Sequence, residues 1–154
     1  MTILIVDDEQ PMRDLVTRVL APLGHTLLQA HDAETAVALV AQNPVAVVVC
    51  DRSMPGHDGD WLVEQIRAQH PSVAVILATA DDAVPPRVSL RDGVIGYLVK
   101  PFNADQLRSA VADGIAWHQA ASKSSKRPPS PLEGDAFDQF LKRAGRPGPT
   151  KGDA

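Results

Sequence analysis

Apolar residues fall along this chain in two alternating patterns. Short, nearly unbroken runs cover Thr2–Val6, Val45–Cys50, Val73–Ala78 and Tyr97–Val99, and a weaker one covers Thr26–Ala30. Runs of this kind, rich in β-branched residues and bounded by turn signals, predict strands buried on both faces of a parallel sheet. Between them the spacing lengthens to three and four. Pro11 opens a helical stretch carrying Met12, Leu15, Val16, Val19 and Leu20, and Pro22 and Gly24 close it. Asp32 can cap a second helix with Ala33, Ala36, Val37, Val40 and Ala41 facing inward, closed by Asn43-Pro44. Trp61, Leu62 and Ile66 support a third helix ending before Pro71, and Leu107, Ala110, Val111, Ile115 and His118 share one face of the last.

The alternation predicts an α/β fold, a doubly wound five-stranded parallel sheet with right-handed crossovers, filling residues 1–121. One segment departs from it. Pro85-Pro86 forbids a long fourth helix and leaves only one or two turns over Arg87–Arg91. Residues 122–154 are rich in Pro, Ser and Lys and are expected to form a flexible tail. Within the tail, Phe137, Phe140, Leu141 and Ala144 keep helical spacing, which leaves open a chance cluster or a short helix over 134–144 that docks on the body or a partner.

Composition narrows the class. With 154 residues, 44% of them hydrophobic, the chain has room for one real core. Its lone cysteine, Cys50, ends the most buried run and is expected to be a core residue in a reducing compartment. No basic segment precedes the first apolar run, and no run reaches membrane-spanning length, so a cytoplasmic protein without signal peptide or membrane contact is expected. Residues 1–121 hold 8 of the 15 Lys and Arg but 15 of the 19 Asp and Glu. An acidic body is a poor nucleic-acid binder, and direct DNA binding is not expected.

The chemistry collects where the strands end. Asp7 and Asp8 follow the first, Asp51 ends the third, Thr79 the fourth, and Lys100 follows the fifth. Open parallel sheets bind ligands at that edge. Three carboxylates there repel unless a cation neutralises them, and Mg2+ suits such a site because it leaves coordination places for phosphate oxygens. Lys100 and Thr79 can then pair with phosphoryl oxygens, and Asp51, central in the sheet, is the best placed nucleophile for an acyl phosphate. Each residue alone has a plainer reading, as a helix cap, a strand end or a surface lysine. Four strand ends with complementary chemistry are poorly explained that way.

The stretches ILIVDDE, VVVCDRSMPGHDG, VILATA and GYLVKPF, in this order, resemble the receiver domains of two-component response regulators, with chemotaxis-type single-domain regulators as the simplest relatives. The resemblance implies the flavodoxin-like strand order 2-1-3-4-5 and makes Asp51 the phosphoacceptor. It implies Asp8 as main Mg2+ ligand, with Asp7 in support and the Ser53 carbonyl a further ligand, and Lys100 on the phosphoryl group before a cis Lys100-Pro101 bond. Thr79 and Tyr97 match a switch pair, in which the hydroxyl moves toward the phosphoryl group and the ring turns inward. The fourth helix, fifth strand and fifth helix would form the output face. His57 stands where a Met is common, and Ser53 and Asp81 hold positions that tune acyl-phosphate hydrolysis. Ala80 leaves access to Asp51 open.

The expected function is a stand-alone response regulator, taking its phosphoryl group from a sensor histidine kinase or histidine phosphotransfer protein and signalling by protein contact. It would be a monomer or a phosphorylation-dependent homodimer with an unknown downstream target, and no enzyme beyond its own phosphorylation and dephosphorylation. A scaffold acting through the tail and a receiver fragment of a longer regulator are the alternatives. A haloacid-dehalogenase-type phosphatase is disfavoured because Asp7-Asp8-Glu9-Gln10-Pro11 lacks its Asp spacing, and a Rossmann domain because no glycine-rich turn follows the first strand. His25, His31, His70 and His118 read as ordinary residues without metal-ligand spacing, and Arg52 as a solvated arginine that can alternatively dock a partner.

Overall fold

The run Val45–Asp51 forms β3, and all seven of its residues are buried. It is the middle strand of a five-stranded parallel sheet ordered β2-β1-β3-β4-β5, with β1 at Thr2–Val6, β2 at Thr26–Ala30, β4 at Ala74–Thr79 and β5 at Val94–Val99. This computed structural model describes residues 1–80 and 94–123. The expected short helix at Arg87–Arg91, the Asp81 position and the tail helix over 134–144 lie outside the described residues.

Strand alternation splits the core between two faces. Leu4, Val6, Val48, Cys50, Val75 and Leu77 meet α2 (Ala33–Gln42) and α3 (Gly59–Gln69). Ile3, Ile5, Val47, Val49, Ile76 and Ile95 meet α1 (Gln10–Leu20) and α4 (Ala104–Lys123). Burying each such aliphatic side chain is worth about 1.5–3 kcal/mol. The helices begin where local chemistry starts them. Asp32 accepts from the Thr35 N–H at 2.7 Å and Asp58 from that of Trp61 at 2.9 Å. At α4, Asn103 and Gln106 cap each other reciprocally, at 2.7 and 2.8 Å.

The strand order, the strands Thr2–Val6 and Thr26–Ala30 and the Asp32 cap match expectation. Several inward faces do not. Leu15 is exposed and Ala41 faces out, while Leu39 packs on the core instead. On α4 the buried line includes Gly114 and Trp117, with Ile115 only partly covered. β5 also starts three residues before the expected Tyr97, because Gly96 reads as a turn signal. It is instead a packing position: a Cβ there would sit 3.2 Å from Ile76 Cγ1 and 3.6 Å from Ala110 Cβ.

Candidate functional site

The order of connection reverses between β1 and β3, and the C-terminal ends of these adjacent strands open a crevice. Asp7 leaves β1 there, its N–H still bonded to the Ala30 carbonyl at 3.2 Å. Its Oδ1 accepts the Glu9 N–H at 2.9 Å, tightening the turn into α1. Asp51 ends β3, and its Oδ1 accepts the Ser53 N–H at 3.1 Å. Asp7 and Asp51 are buried, whereas Asp8 is exposed. Ligand atoms of these three carboxylates lie within 4.8 Å of one another.

Lys100 bridges the buried pair. Its Nζ stands 3.2 Å from Asp7 Oδ2 and 3.4 Å from Asp51 Oδ2, and its backbone N–H bonds to the Thr79 carbonyl at 2.7 Å. Thr79, itself buried, ends β4 beside Asp51, since Asp51 pairs with Ala78 in register. Tyr97 pairs with Leu77 and is fully buried in the face shared with α2 and α3. The Lys100-Pro101 bond is cis, as the resemblance implied. All the expected site residues therefore gather at one sheet edge, except that Tyr97 is packed beneath it.

Charge balance follows from these positions. Burial raises the Asp51 carboxyl above its ordinary value, and Asp7 adds to this, outweighing the Ser53 N–H and Lys100. For Lys100, burial pulls the ammonium down, but Asp51 and Asp7 overcome it and leave a raised value. Burial pushes the Cys50 thiol well up, consistent with an inert core residue. A carboxyl held above its unfolded value opposes folding once ionised. Asp51→Asn is therefore expected to raise the melting temperature in EDTA by a few degrees at neutral pH. The gain should fade as pH drops through the raised Asp51 value and vanish below the ordinary carboxylate range, which melting curves across pH will check.

One neighbour differs from expectation. Arg52 is not a solvated arginine: its side chain is 15% exposed and lies 3.4 Å from Asp60 Oδ2. His57 stacks on Trp61, with centroids 3.8 Å apart. His118 bonds to the Ser72 carbonyl at 2.6 Å, away from the crevice. Arg13 went unnoticed in the sequence. It is buried and donates to the Asp7 carbonyl at 2.5 Å. The signal was its spacing, three before Val16 and seven before Leu20, a cation in the inward stripe of α1.

Comparison with known proteins covers the same region. The family profile for the response regulator receiver domain matches residues 3–112. The chain is 37% identical over 111 residues to the response regulator protein FleR of Pseudomonas aeruginosa, covering 71% of this chain and 24% of FleR. It is 40% identical over 106 residues to the transcriptional regulatory protein TcrA of Mycobacterium tuberculosis, covering 68% and 42%. The chain thus spans about a quarter to two-fifths of the length of these curated relatives. Among solved structures, the signal receiver domain of an HD domain-containing protein from Pseudomonas fluorescens superposes with a TM-score of 0.72 at 30% identity, over 77% of this chain and 97% of that one. Fold, strand-end chemistry and sequence agree over one stretch, and the chain belongs to the receiver domain family of two-component response regulators.

Proposed function

We propose that this chain accepts a phosphoryl group on Asp51 from the phosphohistidine of a sensor kinase or phosphotransfer protein, and signals through phosphorylation-dependent protein contacts. The observation that carries the reading is the setting of Asp51, at the end of the central buried strand, with one oxygen on the Ser53 N–H and the other facing Lys100. A carboxylate oxygen of Asp51 attacks phosphorus. The new O–P bond forms as the N–P bond breaks and the donor imidazole leaves with the electron pair. Lys100, shared between two carboxylates, is placed to follow the charge onto the phosphoryl oxygens.

Three carboxylates against one ammonium leave net negative charge, and an all-oxygen donor set fits a small hard cation. Asp7, Asp8, Asp51 and the Ser53 carbonyl would hold Mg2+. When bound, Mg2+ supplies positive charge that lets an anionic phosphoryl group approach an anionic nucleophile. Thr79 and Tyr97 serve as the switch pair. The Tyr97 ring is already buried, so a phosphoryl group would hold this state rather than create it.

Residues 1–121 would form the receiver and residues 122–154 a tail outside it, in a cytoplasmic protein that catalyses only its own phosphorylation and dephosphorylation. Among the described residues no helix is long and apolar enough to cross a membrane. A stand-alone regulator is the first reading. A second is favoured by length: the relatives are longer, among them the DNA-binding transcriptional regulator NtrC of Salmonella typhimurium, of which the matched stretch covers 25%. On that reading the output lies on further chain.

Intact mass after incubation with acetyl phosphate tests the proposal. Wild type is expected to gain one phosphoryl group only with Mg2+, and Asp51→Asn none. A folded wild type that gains nothing and binds no beryllium fluoride would overturn it.

A further inference from the structure

We infer that Arg13 is a positioning residue for the acidic pocket, a buried fork that fixes the Asp7-Asp8 turn and so sets the affinity of the pocket for a divalent cation. The inference rests on the proposed metal site. Arg13 lies on α1, 8% exposed, and each arm of its guanidinium is engaged. Nη1 donates to the Asp7 carbonyl at 2.5 Å, Nε to Gln29 Oε1 on β2 at 3.3 Å, and Nη2 to Gln10 Oε1. The brace then closes on itself. Gln29 Nε2 donates to Thr17 Oγ1 at 2.9 Å, and that hydroxyl donates to the Arg13 carbonyl at 2.8 Å.

The partner at Nη1 matters most. The peptide joining Asp7 to Asp8 is planar, so holding its oxygen orients the plane from which Asp8 departs. Asp7 is then fixed at three oxygens: its carbonyl by Arg13, Oδ1 by the Glu9 N–H and Oδ2 by Lys100. Among the described residues, exposed Asp8 has no comparable tie of its own, and it takes its place from this turn. Arg13 also brings a positive charge whose partners are amide and carbonyl oxygens, leaving its field to the adjacent carboxylates. A lysine keeps that charge but not the planar three-way fork.

Mg2+ titration calorimetry on the full chain tests this, for wild type, Arg13→Met, Arg13→Lys and Gln29→Leu, each confirmed folded by near-ultraviolet circular dichroism and melting in EDTA. Arg13→Met is expected to bind Mg2+ about tenfold more weakly, the scale seen when groups behind metal ligands are removed. Arg13→Lys and Gln29→Leu are expected to lose at least about threefold while staying folded, which keeps the test open if Arg13→Met does not fold. A merely structural arginine would lower melting in EDTA and leave the Mg2+ affinity of the folded protein unchanged. Losses below threefold in both milder variants overturn the inference and leave the metal site standing. A wild type that binds no Mg2+ overturns the metal site and this inference together.

Discussion

Lys100→Met is expected to destabilise the chain by about 3 kcal/mol at neutral pH in EDTA, near the lower end of what removing one partner of a buried ion pair costs. The reason is arithmetic of charge rather than loss of packing. Lys100 Nζ serves Asp7 and Asp51 together, and methionine leaves two buried carboxylates facing each other without the ammonium between them, each still held by one backbone N–H, of Glu9 and of Ser53. Three consequences distinguish this account from a packing defect. Acid should rescue the variant, because the Asp51 carboxyl, already raised and losing the ammonium that lowers it, becomes neutral as pH falls through its value. Mg2+ should stabilise the variant more than wild type. Lys100→Met in an Asp51→Asn background should cost at least about 1 kcal/mol less than in wild type, since one carboxylate then remains instead of two. Urea denaturation of the four proteins measures that coupling, and equal costs in both backgrounds would place the role of Lys100 in packing.

Why the sheet and the acids were legible in the sequence, and Arg13 was not, has a common physical cause. A strand buried on both faces leaves an unbroken apolar run, and its end is marked where a charge first appears, as at Asp7, Asp51 and Lys100. Helical positions carry a softer signal. Leu15 and Ala41 fit the inward spacing but face solvent, because α1 and α2 touch the sheet along narrow stripes that Val16, Leu20, Ala36 and Val40 already fill. Trp117 continues the stripe of α4 past residue 112, where the family match ends. Arg13 carries no apolar signal, yet it lies buried on the same side of α1 as Val16 and Leu20 while its head finds an oxygen at the site. Residue type alone cannot show a close approach of backbones, and Gly59 is the case that matters for function.

Gly59→Ala is expected to cost about 2–3 kcal/mol, as overpacking of a tight contact does, and to slow phosphoryl acceptance by at least about tenfold, because small displacements of reacting groups carry penalties of that order. Asp58-Gly59 reads in the sequence as a turn signal, but Gly59 opens α3, and its N–H bonds to the Arg52 carbonyl at 2.9 Å. That bond draws the helix start onto the loop behind Asp51. A Cβ on residue 59 would lie 2.8 Å from Arg52 Cα and 2.9 Å from the Asp51 carbonyl oxygen, with Leu77 Cδ2 at 3.2 Å. Two of these three are backbone atoms and cannot turn aside as a side chain tip does. The strain has to move either α3 or the Asp51–Ser53 segment, whose Ser53 N–H orients the Asp51 carboxylate. Alanine's better helix propensity offsets at most about 1 kcal/mol. Gly56→Ala in the same loop is the matched control. Its φ of +80° strains alanine, but no atom lies within 4 Å of the added methyl, so about 1 kcal/mol of stability should be lost with phosphorylation close to wild type. Urea denaturation and the initial rate of mass gain from acetyl phosphate, measured on both variants, separate the two effects. If Gly59→Ala is phosphorylated as fast as Gly56→Ala, the Asp51 carboxylate is held without help from α3, and the packing of α3 against the loop serves stability only.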